Sequence, residues 1–190
     1  MNKIPVKIVE YTISGETRKN VMIDMFDTYE IQGDVETKIK NFKKKYFDTL
    51  EKSKKIIPKD KSKRKASHFW KIGKLLYDFN KSIENEFEIK NYNSAIIRDF
   101  GLYDRSQVGH ILQFGEFFKA NDIDDEISMS HYLELIWKAN LLQKWGLLEK
   151  EKKKLVKMSK TKTLLSHKLY REELNKLVKF RENKNNGKKQ

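Results

Sequence analysis

The sequence has no cysteine in 190 residues, which removes disulfide scaffolds, cysteine zinc sites, iron–sulfur clusters and thiol nucleophiles together. Proline and glycine are scarce, two and eight residues, so each one reads as local punctuation. No apolar run approaches the roughly 18 residues that a membrane span needs. The opening MNKIPVKIVEY lacks the basic-then-apolar plan of a signal peptide, so a cytosolic setting without a membrane partner is expected. Hydrophobic residues make up 38% and charged residues 36%, yet 12% aromatic content argues for a folded core.

What is abundant is positive charge: 41 Lys+Arg against 27 Asp+Glu, a formal net +14. Drift toward lysine-rich codons would spread that charge evenly, whereas a binding surface concentrates it. Residues 1–37 carry net −3, 38–66 net +10, 67–142 net −4 and 143–190 net +11. Two basic blocks therefore flank an acidic, apolar centre, a pattern that fits the electrostatic footprint of a polyanion-binding protein.

The fold class expected is mainly α, a helical bundle with a helix-turn-helix and a small N-terminal β-hairpin. Residues 1–34 form the β-rich element, with VKIVEYTI and VMIDMF on either side of a turn at Gly15. Residues 35–66 form a basic helix, with Ile39, Phe42, Tyr46, Phe47 and Leu50 on one side, ending in the linker PKDKSKRK. Residues 67–146 form the core. Its clearest seam is Phe69, Ile72, Leu76, Phe79, Ile83 and Phe87, spaced 3, 4, 3, 4 and 4 along one helix from Ser67 to Phe87. Residues 147–182 form basic C-terminal helices and 183–190 a disordered tail.

Within the core, a short helix over Ala95 to Phe100 stops at Gly101. Asp104 then caps a second helix from Arg105 to about Phe118. Val108, Ile111, Leu112, Gly115 and Phe118 make its inward face. That is the plan of a helix-turn-helix, whose second helix lies in the major groove. Arg105, Ser106, Gln107, His110 and Gln113 face outward, and their donors and acceptors suit direct reading of base edges. Gly109 removes a side chain where a backbone could approach closely. Asp99, Asp104 and Glu116 make this region acidic, so phosphate contacts fall to Lys43, Lys44, Lys45, Lys63, Arg64, Lys65, Lys152, Lys153, Lys154 and Lys157. Such a division is physically sound, because phosphate contacts position a protein and base contacts specify.

The order FWKIGKLL, FGLYDRSQVGHILQFGEFF, ISMSHYLELI resembles the helical N-terminal domain that precedes a PD-(D/E)xK nuclease in a family of bacterial defence-associated proteins. The matching positions are Trp70, Ile72, Gly73, Phe100, Gly101, Ser128, Ser130, His131 and Tyr132. The central helix-turn-helix domain of ParB-type partition proteins is also similar, through Arg105, Ser106, Val108 and Leu112. Both resemblances imply DNA binding rather than catalysis, with the nuclease domain expected to be absent.

Catalytic constellations are sparse. Four Glu-x-Lys triplets occur, at Glu36, Glu88, Glu151 and Glu182, where about three are expected by chance. Only Asp24, Asp34, Glu36 and Lys38 combine such a triplet with a β-rich run and upstream acids, as a metal-dependent nuclease requires. His68, His110, His131 and His167 lack metal-ligand spacing, and no phosphate-binding loop or nucleophile elbow is present. No metal and no cofactor are expected. The function expected is non-catalytic binding of double-stranded DNA, nucleoid-associated in the cytoplasm. The alternatives are a protein-interaction or structural subunit of a nucleic-acid-processing complex and a metal-dependent nuclease. Homodimerisation through the hairpin or the C-terminal helix, and a nuclease or other protein partner, stay open.

Overall fold

The computed structural model describes residues 3–23, 33–56, 58, 60–89 and 105–186. They form six α-helices and one three-stranded sheet, a mostly helical fold with its sheet built around the N-terminal strands.

Strands β1 (Ile4–Ile13) and β2 (Glu16–Ile23) pair antiparallel, with Val6 opposite Ile23 and Ile13 opposite Glu16. Two residues connect them, Ser14 at φ 51° and Gly15 at φ 82°. Positive φ at both positions is what a primed two-residue hairpin turn requires, and it matches the right-handed twist of the strands. On β1 the alternation Ile4, Val6, Ile8 turns buried side chains to one face while Lys7 points to water.

The sheet has a third strand that the sequence reading missed. Phe87, expected to end the helical seam, instead opens β3 (Phe87–Ile89), which pairs parallel to β1 with Ile4 opposite Phe87. The preceding helix α2 (Ala66–Ile83) ends one turn earlier. Glu86 N–H closes a turn on Ile83 O at 3.0 Å, and Ile4 N–H donates to Glu86 O at 2.7 Å. Backbone pairing with β1 thus outcompetes one more helical turn, and the Phe87 ring still enters the core, 4.9 Å from Phe42.

Helix α1 (Gly33–Ile56) buries Phe42, Tyr46 and Leu50 against the sheet and α2. After it, the basic linker is locally ordered. Asp60 Oδ1 accepts from both Ser62 N–H and Ser62 Oγ, around a 3-10 turn over Lys61–Lys63. On α2 the seam residues Ile72, Leu76, Phe79 and Ile83 are buried as their spacing predicts, each worth about 1.5–3 kcal/mol of burial.

Helix α3 (Arg105–Phe117) follows, then α4 (Met129–Lys144), α5 (Leu148–Lys160) and α6 (His167–Asn186). The expected first helix of the helix-turn-helix, Ala95 to Phe100, and its turn at Gly101 lie outside the described residues. Helix α6 runs to Asn186, so helix replaces the first part of the expected tail at 183–190.

Two hydrophobic clusters fill the fold, and α2 and α3 are their common wall. One cluster joins the sheet, α1, most of α2, and Val108 and Ile111 of α3. The other takes Phe114 and Phe118 with α4, α5 and α6. Between α4 and α5, Gly146 has φ 68°, its N–H bonds Gln143 O at 2.9 Å, and Leu147 N–H bonds Leu142 O at 2.8 Å. This Schellman cap satisfies the last carbonyls of α4 and turns the chain directly into α5.

Candidate nucleic-acid interface

Helix α3 sits unusually close to α2. A Cβ built on Gly73 would stand 2.0 Å from Ile111 O, and one built on Gly115 would stand 2.1 to 2.3 Å from the Gly73 carbonyl group and Lys74 N. The two helices therefore cross backbone against backbone. Trp70 Nε1 adds a 2.9 Å hydrogen bond to Phe118 O at the end of the same helix. The inward face expected for α3 is present in Val108, Ile111, Gly115 and Phe118, with Leu112 half-buried; Phe114, not expected there, is fully buried.

Of the five base-reading candidates, Arg105, Ser106 and Gln107 occupy the first turn of α3, and their side chains lie outside the described residues. His110 and Gln113 are half-buried. Trp137 Nε1 of α4 donates to His110 Nε2 at 2.7 Å. An accepting Nε2 puts the proton of the neutral ring on Nδ1, so His110 offers a single oriented donor. Gly109 is exposed, and among the described residues nothing beyond its chain neighbours and its own helix backbone lies within 4 Å of where its Cβ would stand. Packing among the described residues therefore does not explain this glycine, which as a helix-interior residue costs about 1 kcal/mol relative to alanine.

The lysine triplets do not act as triplets, because successive helical residues are turned by about 100°. Lys44 points to water, Lys43 lines a groove between α1 and β2, and Lys45 Nζ donates to Ser82 O at 3.4 Å in the last turn of α2. In the linker Lys63 lies 3.9 Å from Asp60, Arg64 Nε donates to Pro58 O at 3.2 Å, and Lys65 is exposed. On α5 the contrast is sharper. Lys152 is buried, its side chain only 1% exposed; its ammonium donates to Phe117 O and to Glu149 at 2.6 Å, and lies 3.4 Å from Asp122. It also stands 5.0 Å from the Phe118 ring. This corrects the expectation for Lys152: it fastens α5 to the end of α3 and has no surface to offer a phosphate. Lys154 is bound to Glu173 of α6 at 2.9 Å, which raises its pKa.

What remains on α5 is a ridge that sequence reading only half identified. Lys150, Lys153, Lys157 and Lys160 are spaced 3, 4 and 3, directly opposite the buried Leu148, Glu151 and Leu155. All four are exposed, and none has an ion-pair partner among the described residues. The signal was available, since lysine itself follows the helical period there. On α1, by contrast, the outward lysines Lys40, Lys44 and Lys55 alternate with Asp48 and Glu51.

The acids of the centre are largely consumed by structure. Asp125 accepts from Ser67 N–H and Ser67 Oγ at 2.9 Å each and so caps α2. Although burial raises its pKa, these bonds and the nearby Lys65 bring it below the ordinary value. Asp122 accepts from Lys119 N–H, and the Tyr132 hydroxyl accepts from Asp124 N–H at 2.7 Å while facing the carbonyls of Asp122 and Asp124. Glu134, fully buried on α4, receives Arg171 Nε at 2.6 Å, with His167 Nε2 at 3.0 Å and Lys138 at 3.4 Å.

The histidines serve local structure, and the rings of His131 and His167 meet edge to face at 5.8 Å. His68 Nδ1 accepts from Lys65 N–H at the start of α2, and His131 bridges Ser128 Oγ at 2.7 Å and Leu165 O at 3.0 Å. Among the described residues no group of three or more histidine and acidic side chains could hold a metal. Glu36 and Lys38 stand two residues apart on a helix, so they diverge: Lys38 pairs with Asp34 at 2.6 Å, and Glu36 lines the groove beside β2. Asp24 lies outside the described residues. No described helix is long and apolar enough to cross a membrane. No family model, no curated protein and no solved structure matches the chain.

Proposed function

We propose that this protein binds duplex DNA without catalysing a reaction on it, with α3 as the base-reading helix and lysines outside it as phosphate contacts. The observation that carries this reading is the unpaired lysine ridge of α5. Three consecutive like-charge pairs at i,i+3 or i,i+4 oppose the helix by about 0.2–0.5 kcal/mol each, so the ridge serves something other than folding. Ten residues of helix rise about 15 Å. One DNA strand carries a phosphate every 3.4 Å or so along the axis. The ridge thus spans about four phosphates.

Further support comes from α3. It is clamped to α2 at Gly73 and Gly115, and its His110 is held in one orientation by Trp137. The resemblance to helical domains preceding defence-associated nucleases, and to the partition-protein helix-turn-helix, points the same way and makes a nucleoid-associated role the natural setting.

The test is a mobility-shift titration of random and selected duplexes over a salt series. Contacts to four phosphates give a slope of log K against log salt of about −3.6. A flat salt response would overturn the reading. Adding Mg²⁺ to the same mixtures should leave the duplex intact, whereas strand loss would favour the nuclease alternative.

A second reading, a protein-interaction subunit, is favoured by Trp137 and Leu141, which are 51% and 40% exposed one turn apart on α4. Under that reading Trp137→Ala abolishes partner capture while DNA affinity is nil from the outset. Pairing of two copies would cover other exposed apolar groups, Tyr11, Ile13 and Met22 on the hairpin or Leu169 and Phe180 on α6. Sedimentation at several concentrations decides it.

A further inference from the structure

The indole of Trp137 has already committed its one polar group. Its Nε1–H donates to His110 Nε2 at 2.7 Å, and an indole has no acceptor to add. The ring nevertheless stays 51% exposed, and Leu141, one turn further along α4, is 40% exposed. What Trp137 can offer a ligand is therefore apolar surface alone.

His110 is its complement. With Nε2 accepting from Trp137, the proton of the neutral ring sits on Nδ1. That nitrogen has no hydrogen-bond partner among the described residues, and it is not shut away from solvent. The two rings meet edge to face with centroids 5.7 Å apart. One oriented donor on α3 and one apolar ring on α4 thus stand side by side. Neither helix is loosely held: α3 crosses α2 backbone against backbone, and Ile136 and Ala139, flanking Trp137 on α4, are buried.

The next step rests on the reading of α3 as the base-reading helix. In the major groove purines present the N7 acceptor, cytosine presents an N4 donor, and thymine presents an O4 acceptor and its C5-methyl. The methyl is the apolar group among these base edges, so it is what an indole without a free donor can pack against. A single donor suits a purine N7 and finds nothing to bond on cytosine N4. Successive base pairs stand about 3.4 Å apart. Rings 5.7 Å apart therefore reach groups about one or two base pairs apart.

We propose that the DNA site of this protein holds a thymine one or two base pairs from a purine, with Trp137 packed on the thymine methyl and His110 Nδ1–H donating to the purine N7. Trp137 is then a specificity-determining residue in its own right as well as the group that orients His110.

The experiment uses the full chain and the tightest duplex recovered by selection from a random pool. Each thymine is replaced in turn by uracil, which removes only the methyl, and each purine by its 7-deaza analogue, which removes only the N7 acceptor. At one thymine the replacement should weaken binding about fourfold, the worth of one buried methyl. At a purine within two base pairs of it, the 7-deaza analogue should weaken binding several-fold. Trp137→Ala should erase the uracil effect, and His110→Ala the 7-deaza effect. The analogue series on the unaltered protein depends on no variant folding. Salt-dependent binding that is indifferent to every uracil replacement overturns this proposal and leaves the DNA reading standing, with Trp137 then free for a protein partner. A uracil effect undiminished in Trp137→Ala, or a 7-deaza effect undiminished in His110→Ala, overturns it too. If no duplex binds at all, the DNA reading fails and this proposal falls with it.

Discussion

Gly73 of α2 and Gly115 of α3 face each other so closely that neither position has room for a single methyl group. At both, the obstructing atoms belong to backbone rather than to a side chain that could swing aside. The crossing sets how far α3 stands out from the rest of the fold, and both hydrophobic clusters depend on it.

Gly115→Ala should therefore destabilise the protein by about 3 kcal/mol or more, at the upper end of overpacking penalties, and Gly73→Ala similarly. Gly109→Ala, six residues earlier on the same helix, should stabilise it by up to about 1 kcal/mol, because that position is open. If α3 approaches DNA at Gly109, the same substitution weakens sequence-specific binding several-fold. Chemical denaturation and a mobility shift on the three variants check both signs.

Lys152 and Lys153 are adjacent and should behave oppositely. Lys152→Ala leaves Phe117 O and Asp122 without their shared ammonium and should cost about 3 kcal/mol, in the range for breaking a buried ion pair. Its effect on the salt slope of DNA binding should be nil in any fraction that folds. Lys153→Gln with Lys157→Gln should leave stability unchanged or slightly higher and reduce the salt slope by about 2.

His110 and Gln107 are expected to read bases, and Trp137 to hold His110. Trp137→Phe keeps the ring but removes the indole donor to His110 Nε2. Preference for a selected duplex over random DNA should fall several-fold while random-duplex affinity stays level. Gln107→Ala with His110→Ala should do the same more strongly. A uniform loss on all duplexes would move the reading surface elsewhere.

Acid should act partly through the cap that Asp125 places on Ser67. Its folded pKa lies below the ordinary 3.8, so the cap contributes full stability above that value. The contribution is lost as pH falls through the depressed folded value. Glu149, held low by its hydrogen bond from Lys152, adds in the same direction. Asp125→Asn should flatten the decline of thermal midpoint below about pH 4 and lower the midpoint at neutral pH by the loss of a cap, about 1 kcal/mol.

The parts of this fold that sequence reveals are those with a strong local period. Ile72, Leu76 and Phe79 declare α2 by spacing alone, and Ser14-Gly15 declares the hairpin because few dipeptides accept two positive φ angles. Strand β3 is hidden because three residues carry no period, and its assignment depends on Ile4, some eighty positions away. Lys152 is hidden for a related reason. Nothing in a run of three lysines says which one faces Phe117 O, since that is decided by where α3 ends. The acids of NDIDDE look like a repulsive patch in sequence, yet they include a cap and an ion-pair acceptor whose partners, Ser67 and Lys152, come from other elements. Of the candidate interface, sequence finds α3 and the basic blocks. The ridge emerges once the buried Leu148 and Leu155 define which side of α5 is outside.

The parallel pairing of β1 with β3 also fixes an order of events during synthesis. The hairpin can close as soon as Ile23 has been made, but β1 then exposes the edge that β3 will cover, with Ile4, Val6 and Ile8 beside it. That edge stays open until α1, α2 and the residues through Ile89 have left the ribosome. For the whole of that interval the nascent chain presents an unpaired edge beside apolar side chains, the kind of surface on which chains adhere to one another. Substitutions that slow the formation of α2 would therefore reduce the yield of folded protein well before they alter the stability of the finished molecule.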